Sequence, residues 1–193
     1  MRYLILLLSI FSLTGCLPEP LKPTVSVDKE MLLARDWNLA VLDLNYTAIE
    51  GKLSSGLTTS ISAGPDAGQV IASLIASELS SLSNIKVVER GRIDHLIDEQ
   101  QLQMTGIIDS ESAVEIGKML GADAVLVGNV TDYLSWSSLG LTGSTVSFSM
   151  RMIDIKSGQV VTSGSISRVE NFTVAFQNAQ KLAKRLIAEI GQQ

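Results

Sequence analysis

The residue types best suited to chemistry gather in one short stretch, where His95, the only histidine of the chain, stands beside Asp94 and close to Asp98 and Glu99. An imidazole next to carboxylates is the material of general acid and base catalysis, and paired carboxylates can share the same work. Charges clustered on a short helix, however, ordinarily form its solvated face. The rest of the sequence adds no further catalytic group: it holds no Gly-x-Ser-x-Gly elbow, no phosphate-binding glycine loop and no His-Glu-x-x-His zinc pattern. The chain is therefore expected to be no enzyme, with no catalytic residue, no metal and no dissociable cofactor.

The remaining reactive side chain is Cys16, the only cysteine. It follows a basic Arg2, an apolar run from Tyr3 to Leu13, and the small residues Thr14 and Gly15. That run is well short of the ~20 residues that span a bilayer as a helix, and the whole has the layout of a secretory signal. Its end resembles a bacterial lipobox. The resemblance implies a signal peptide over residues 1–15, cleavage before Cys16, diacylglycerol on its sulfur and an acyl group, such as palmitate, on its new amino terminus. Acyl chains at ~0.8 kcal/mol per buried methylene hold a protein stably on a membrane when there are two or more. In lipoproteins with such a signal, an Asp after the cysteine favours inner-membrane retention. Leu17 stands there instead, which implies the periplasmic face of the outer membrane. With its sulfur acylated, Cys16 leaves no thiol for disulfides, zinc or catalysis.

A net charge of −5 at pH 7, with no cluster of basic residues interleaved with aromatics, excludes nucleic acid as a partner class. Residues 16–36 carry three of the four prolines, Pro18, Pro20 and Pro23, and read as a lipidated N-terminus with a flexible tether. One domain is expected over residues 37–193. The apolar run from Trp37 to Leu44 reads as a buried strand, and Glu50–Gly64 as a polar loop. Pro65-Asp66 opens a helix with Val70, Ile71, Leu74, Ile75, Leu79 and Leu82 on one stripe. A strand at Ile85–Glu89 precedes a short helix through Ile93, Leu96 and Ile97. A third helix starts at Ser110-Glu111 and ends at Gly121. Valine-rich Asp123–Tyr133 and alternating Ser144–Ile155 read as strands, followed by a turn at Asp154–Gln159, a strand at Val160–Val169, and a long final helix. Phe172, Phe176, Ala179, Leu182, Ala183, Leu186, Ile187 and Ile190 form that helix's apolar stripe. The sum is an α/β fold, a single three-layer domain with a mixed β-sheet flanked by helices.

Val88-Glu89-Arg90 with Ile93, Leu96, Ile97, Asp98-Glu99-Gln100, Leu102 and Gly106, then Ala113, Ile116-Gly117, Leu120-Gly121-Ala122-Asp123 and Val127-Gly128, resembles the CsgG family, named for the curli secretion lipoprotein of the outer membrane. Met150–Asp154 with Ser157-Gly158 adds a family-like strand and turn. The resemblance implies a CsgG-like, TolB N-terminal-like domain. At its strongest it implies a ring-shaped secretion channel to which each subunit lends two amphipathic hairpins. A barrel strand needs about 9 to 11 residues. Only ten residues separate Tyr133 from Ser144, and the chain enters its last helix directly after Val169. A short member without transmembrane hairpins is expected: a lipid-anchored periplasmic scaffold or accessory component of an envelope assembly or secretion machine. Its partners would be the outer membrane, other envelope proteins and, as a further class, copies of itself. A channel subunit is the alternative. Glu89 and Arg90 are open to two readings, a structural cap or a subunit contact. Trp136, Leu139 and Leu141 read as a partner surface, a shallow membrane touch or a plain hairpin loop.

Overall fold

The computed structural model of the chain describes residues 23–46, 60–63, 66–99, 110–138 and 140–192. Cys16, Leu102, Gly106 and Leu139 lie outside them, as do the side chains of Asp98 and Glu99. Eight strands and five helices are described. In chain order they are β1 (Thr24–Val27), α1 (Lys29–Leu33), β2 (Trp37–Val41), β3 (Asn45–Tyr46), β4 (Ser60–Ala63), α2 (Ala67–Leu79), β5 (Ile85–Val87) and α3 (Arg90–Glu99), followed by α4 (Ser110–Met119), β6 (Ala124–Ser138), β7 (Leu141–Asp154), β8 (Val160–Asn171) and α5 (Ala175–Gln192).

The strands form one mixed sheet in the order β1-β8-β7-β6-β2-β5, with β3 and β4 also paired to β6. β2 lies parallel to β5 and β6, as crossovers through helices require, and β6, β7 and β8 form an antiparallel meander. Alternation along β7 sets its faces. Val146, Phe148, Met150 and Met152 are buried in one core with α2 and α5, while Ser147, Ser149 and Arg151 turn away from it. A second core on the opposite face gathers Ala40, Leu42, Val125, Val127 and Ile153 under Ile93, Ala113, Ile116 and Leu120 of α3, α4 and the turn after α4. The three layers expected from the sequence are present.

Gly128 permits the close approach expected of it, since a Cβ there would lie 2.1 Å from the Ser149 carbonyl oxygen. A bulge between Val130 and Asp132 lets Val130 and Tyr133 face the same core despite their odd spacing.

The structure departs from the sequence expectations in four places. The folded part begins before Trp37. β1 pairs antiparallel with β8, Asp28 caps α1 through Met31 N–H at 3.0 Å, and the Trp37 indole donates to the Leu32 carbonyl at 3.0 Å. Residues 24–36, expected as part of the tether, thus belong to the folded part; they escaped the expectation because a strand of four residues and a helix of five carry no periodicity to read and gain their order from β8 and Trp37. The loop expected through Gly64 contains β4, paired antiparallel with β6 from Ser60↔Ser137 to Ala63↔Leu134. The segment expected as a loop between Tyr133 and Ser144 is a continuous hairpin reaching Ser138↔Leu141, with Gly140 at φ +79° in the turn. Phe172 and Phe176 are exposed instead of lying on the buried stripe of α5, which runs through Ala175, Asn178, Ala179, Leu182 and onward.

Candidate functional site

β2 and β5 end side by side, with Val88 N–H bonded to the Leu39 carbonyl, and they deliver Asp43 and Arg90 to one point. The Arg90 guanidinium donates to both carboxylate oxygens of Asp43, at 2.5 and 2.7 Å, and through Nε to Asp94 at 2.8 Å. The Asp43 hydrogen bond chiefly raises the Arg90 pKa above its ordinary value, and partial burial opposes this. Arg90 is thereby an internal clamp that ties the start of α3 to the loop after β2. Glu89 is exposed beside it, on the rim of a groove of about 330 Å³ lined by Val41, Ala76, Val88 and Ile93. His95 is exposed on α3, and its neighbour Asp94 is engaged by Arg90. Among the described residues no three His, Cys, Asp or Glu side chains converge as a metal site would require.

At the far end of the meander a different surface is built. Trp136 and Gly143 are opposite each other on β6 and β7, and the indole covers the glycine so closely that a Cβ there would lie 2.3 Å from its ring. Leu141 follows the hairpin turn and is exposed. β8 ends beside it, with Phe172 N–H bonded to the Thr142 carbonyl at 2.7 Å. That bond accompanies a backbone φ of +56° at Phe172, a left-handed conformation costing roughly 1–2 kcal/mol in a residue with a side chain. The strained residue presents its ring outward, 75% exposed. Val169, Val174 and Phe176 are also exposed, so five of the eight exposed large apolar side chains among the described residues stand at this end.

The end is held firmly from beneath. Ala175 N–H donates to the Ser135 hydroxyl at 3.0 Å, and the fully buried Asn178 amide donates to the Ser144 hydroxyl and the Arg168 carbonyl, both at 3.2 Å. Glu170 is paired with Arg168 at 3.1 Å and Lys181 at 3.0 Å. Trp136 and Leu141 thus stand on the same hairpin end, as the sequence reading grouped them, and Arg90 and Glu89 lie at the β2/β5 side of the sheet. Val169, Phe172, Val174 and Phe176 escaped that reading. Spacing alone assigned the two phenylalanines to the core, and the one available signal was that they precede or begin the helix, where the stripe is not yet closed over.

Comparison with known proteins gives a consistent result. The family model for the curli production assembly/transport component CsgG matches residues 23–173. No curated protein matches the chain. Among solved structures, the chain is similar to the PelC dodecamer from Paraburkholderia phytofirmans, with 17% identity, a TM-score of 0.58, and coverage of 88% of this chain and 96% of that one. It is also similar to lipoprotein GNA1162 from Neisseria meningitidis, with 18% identity, a TM-score of 0.58, and coverage of 81% and 99%. At these identities the likeness is one of fold. The family match begins at the residue before β1 and runs through the meander to the strained turn after β8, so the chain belongs to the CsgG family.

Proposed function

We propose that the chain is a lipid-anchored accessory or scaffold protein at the periplasmic face of the outer membrane, serving an envelope assembly or secretion machine through protein contacts and without catalysis. One observation carries this reading: a CsgG-family domain whose β6–β7 hairpin stops at a tight turn. β6 is bordered by β4 and β7 by β8 nearly to the tip, so only the last rung, Ser138↔Leu141, extends past its neighbours. That is far short of the about 9 to 11 residues per strand that a barrel wall needs. The lipobox-like sequence before Cys16 and the fold shared with a solved lipoprotein support the anchor. Among the described residues no helix is long and apolar enough to cross a membrane.

Crosslinking intact envelopes and purifying the full chain tests the scaffold role. Specific envelope proteins should co-purify, and their loss on altering exposed residues of the Glu89 groove or the meander tip would locate the contacts. Recovery of the chain without any specific envelope protein would contradict the reading.

A second reading, a subunit of an oligomeric channel, draws on the dodecameric assembly of the PelC structure and on the exposed apolar end of this chain. Detergent-extracted protein that forms rings and conducts ions across planar bilayers would favour it over the scaffold.

A further inference from the structure

The geometry points to the apolar end of the meander, formed by Leu141, Phe172, Val174 and Phe176, as a surface that rests on the same bilayer that holds the Cys16 lipid. This inference rests on the lipoprotein reading above and extends it to the orientation of the folded part.

The first argument is direction. β1 runs antiparallel to β8 with Thr24 opposite Ser165 and Val27 opposite Thr162. Read from Val27 back to Thr24, β1 points toward the Asn171 end of β8, the end that carries the exposed apolar side chains. The second is reach. Cys16 precedes Thr24 by eight residues, which span at most about 28 Å when fully extended. From the level of Thr24 to the Gly143↔Asn171 rung is six residues of β8, about 20 Å, and Phe172 and Leu141 lie one and two residues beyond it. Along this direction the acylated residue can rise scarcely above the meander tip, so an upright domain sets the tip against the surface in which the acyl chains are buried.

The third argument is chemistry. The tip is apolar at four exposed positions, and Val169 extends it along β8. Among the described residues from Tyr133 to Thr145 and from Arg168 to Ile187 the only carboxylate is Glu170, which Arg168 and Lys181 already neutralise. As far as the described residues form it, this end face has apolar side chains, no unpaired negative charge and nearby cations, which suits the interface of an anionic phospholipid leaflet. Phe172 adds to this face a ring that is 75% exposed on a left-handed backbone of φ +56°.

The test uses the full acylated chain. Since Cys16 is the only cysteine and its sulfur is taken by lipid in this reading, Val174→Cys introduces a unique thiol for a fluorescent label. The labelled protein is placed in phosphatidylethanolamine–phosphatidylglycerol vesicles whose acyl chains carry bromine as a quencher. Quenching at position 174 is expected to exceed, several-fold, that of a label at Val160→Cys, an exposed apolar site at the opposite end of β8. Equal, weak quenching at both positions overturns the inference, as does efficient 174-to-174 crosslinking without quenching, which would show that a second copy covers the tip. Phe172→Gly serves as the control for folding. Glycine accepts the positive φ, so the melting temperature should hold or rise while quenching at 174 falls. Labelled-palmitate incorporation measured on the same preparation separates the two levels. Incorporation without quenching sinks the tip alone, whereas no incorporation removes the lipoprotein reading and the reach argument with it.

Discussion

The Arg90 guanidinium grips both carboxylate oxygens of Asp43 in a two-pronged contact, at 2.5 and 2.7 Å, and so fastens the first turn of α3 to the end of β2. Both side chains are about a third exposed, which limits what solvent leaves of the interaction. Arg90→Ala should lower stability by about 1–2 kcal/mol, measured as a shift in the urea midpoint, and Arg90→Lys should recover only part because an ammonium cannot fork. Since Asp43 raises the Arg90 pKa, this contribution is in place at neutral pH and, on the alkaline side, is lost as pH climbs through the raised value. An Arg90→Ala variant with an unchanged midpoint would show the clamp to be incidental.

Asp154, nearly buried at the end of β7, holds the turn into β8. It accepts from Lys156 N–H at 2.9 Å and Ser157 hydroxyl at 3.1 Å, and it meets Arg35 at 3.1 Å. Asp154→Ala should cost about 2–3 kcal/mol, read from chemical denaturation, because several donors lose their acceptor together. Arg35 also lies 4.1 Å above the Trp37 ring centre, so Arg35→Ala should cost less than Asp154→Ala while still loosening α1.

Gly143→Ala tests the tip from inside. The new methyl would meet the Trp136 ring at 2.3 Å and the Glu170 carbonyl oxygen at 2.7 Å, and backbone cannot yield as a flexible side chain can. A loss of about 1–3 kcal/mol in thermal unfolding is expected. An unchanged melting temperature would mean that the indole moves aside freely.

The alkaline limb of stability should bend at tyrosine. Burial raises the Tyr133 pKa, and burial followed by the Asp132 charge raises that of Tyr46. Both phenols therefore keep their protons longer in the folded state than in the unfolded one, so stability is full below the ordinary value of about 10 and falls as pH rises past it. Tyr133→Phe should flatten that fall in urea titrations, leaving neutral stability nearly unchanged. A fall of undiminished steepness would place its cause elsewhere.

Much of this fold could be read from residue order, for identifiable reasons. β7 shows itself because Val146, Phe148, Met150 and Met152 alternate with serines and an arginine, and α5 because its apolar stripe from Ala179 to Ile190 persists over three turns. β1 and α1 escaped because segments so short borrow their order from β8 and Trp37, contacts distant in sequence. The close seat of α2 was hidden for the same reason: a Cβ on Gly68 would fall 1.9 Å from the Leu44 carbonyl oxygen, a constraint visible only once the two segments meet. At the candidate surfaces, Arg90 was noticed without its partner, since Asp43 lies forty-seven residues earlier. Phe172 was misplaced because spacing says nothing of a backbone that turns left-handed before the helix begins.

The account stands on acylation of Cys16, and metabolic labelling with a fatty acid tests it most directly. Labelled palmitate should enter the full-length chain in envelope fractions and be absent from a Cys16→Ser variant expressed to the same level. Equal labelling of both, or an unlabelled and uncleaved chain recovered from the cytosol, would contradict it.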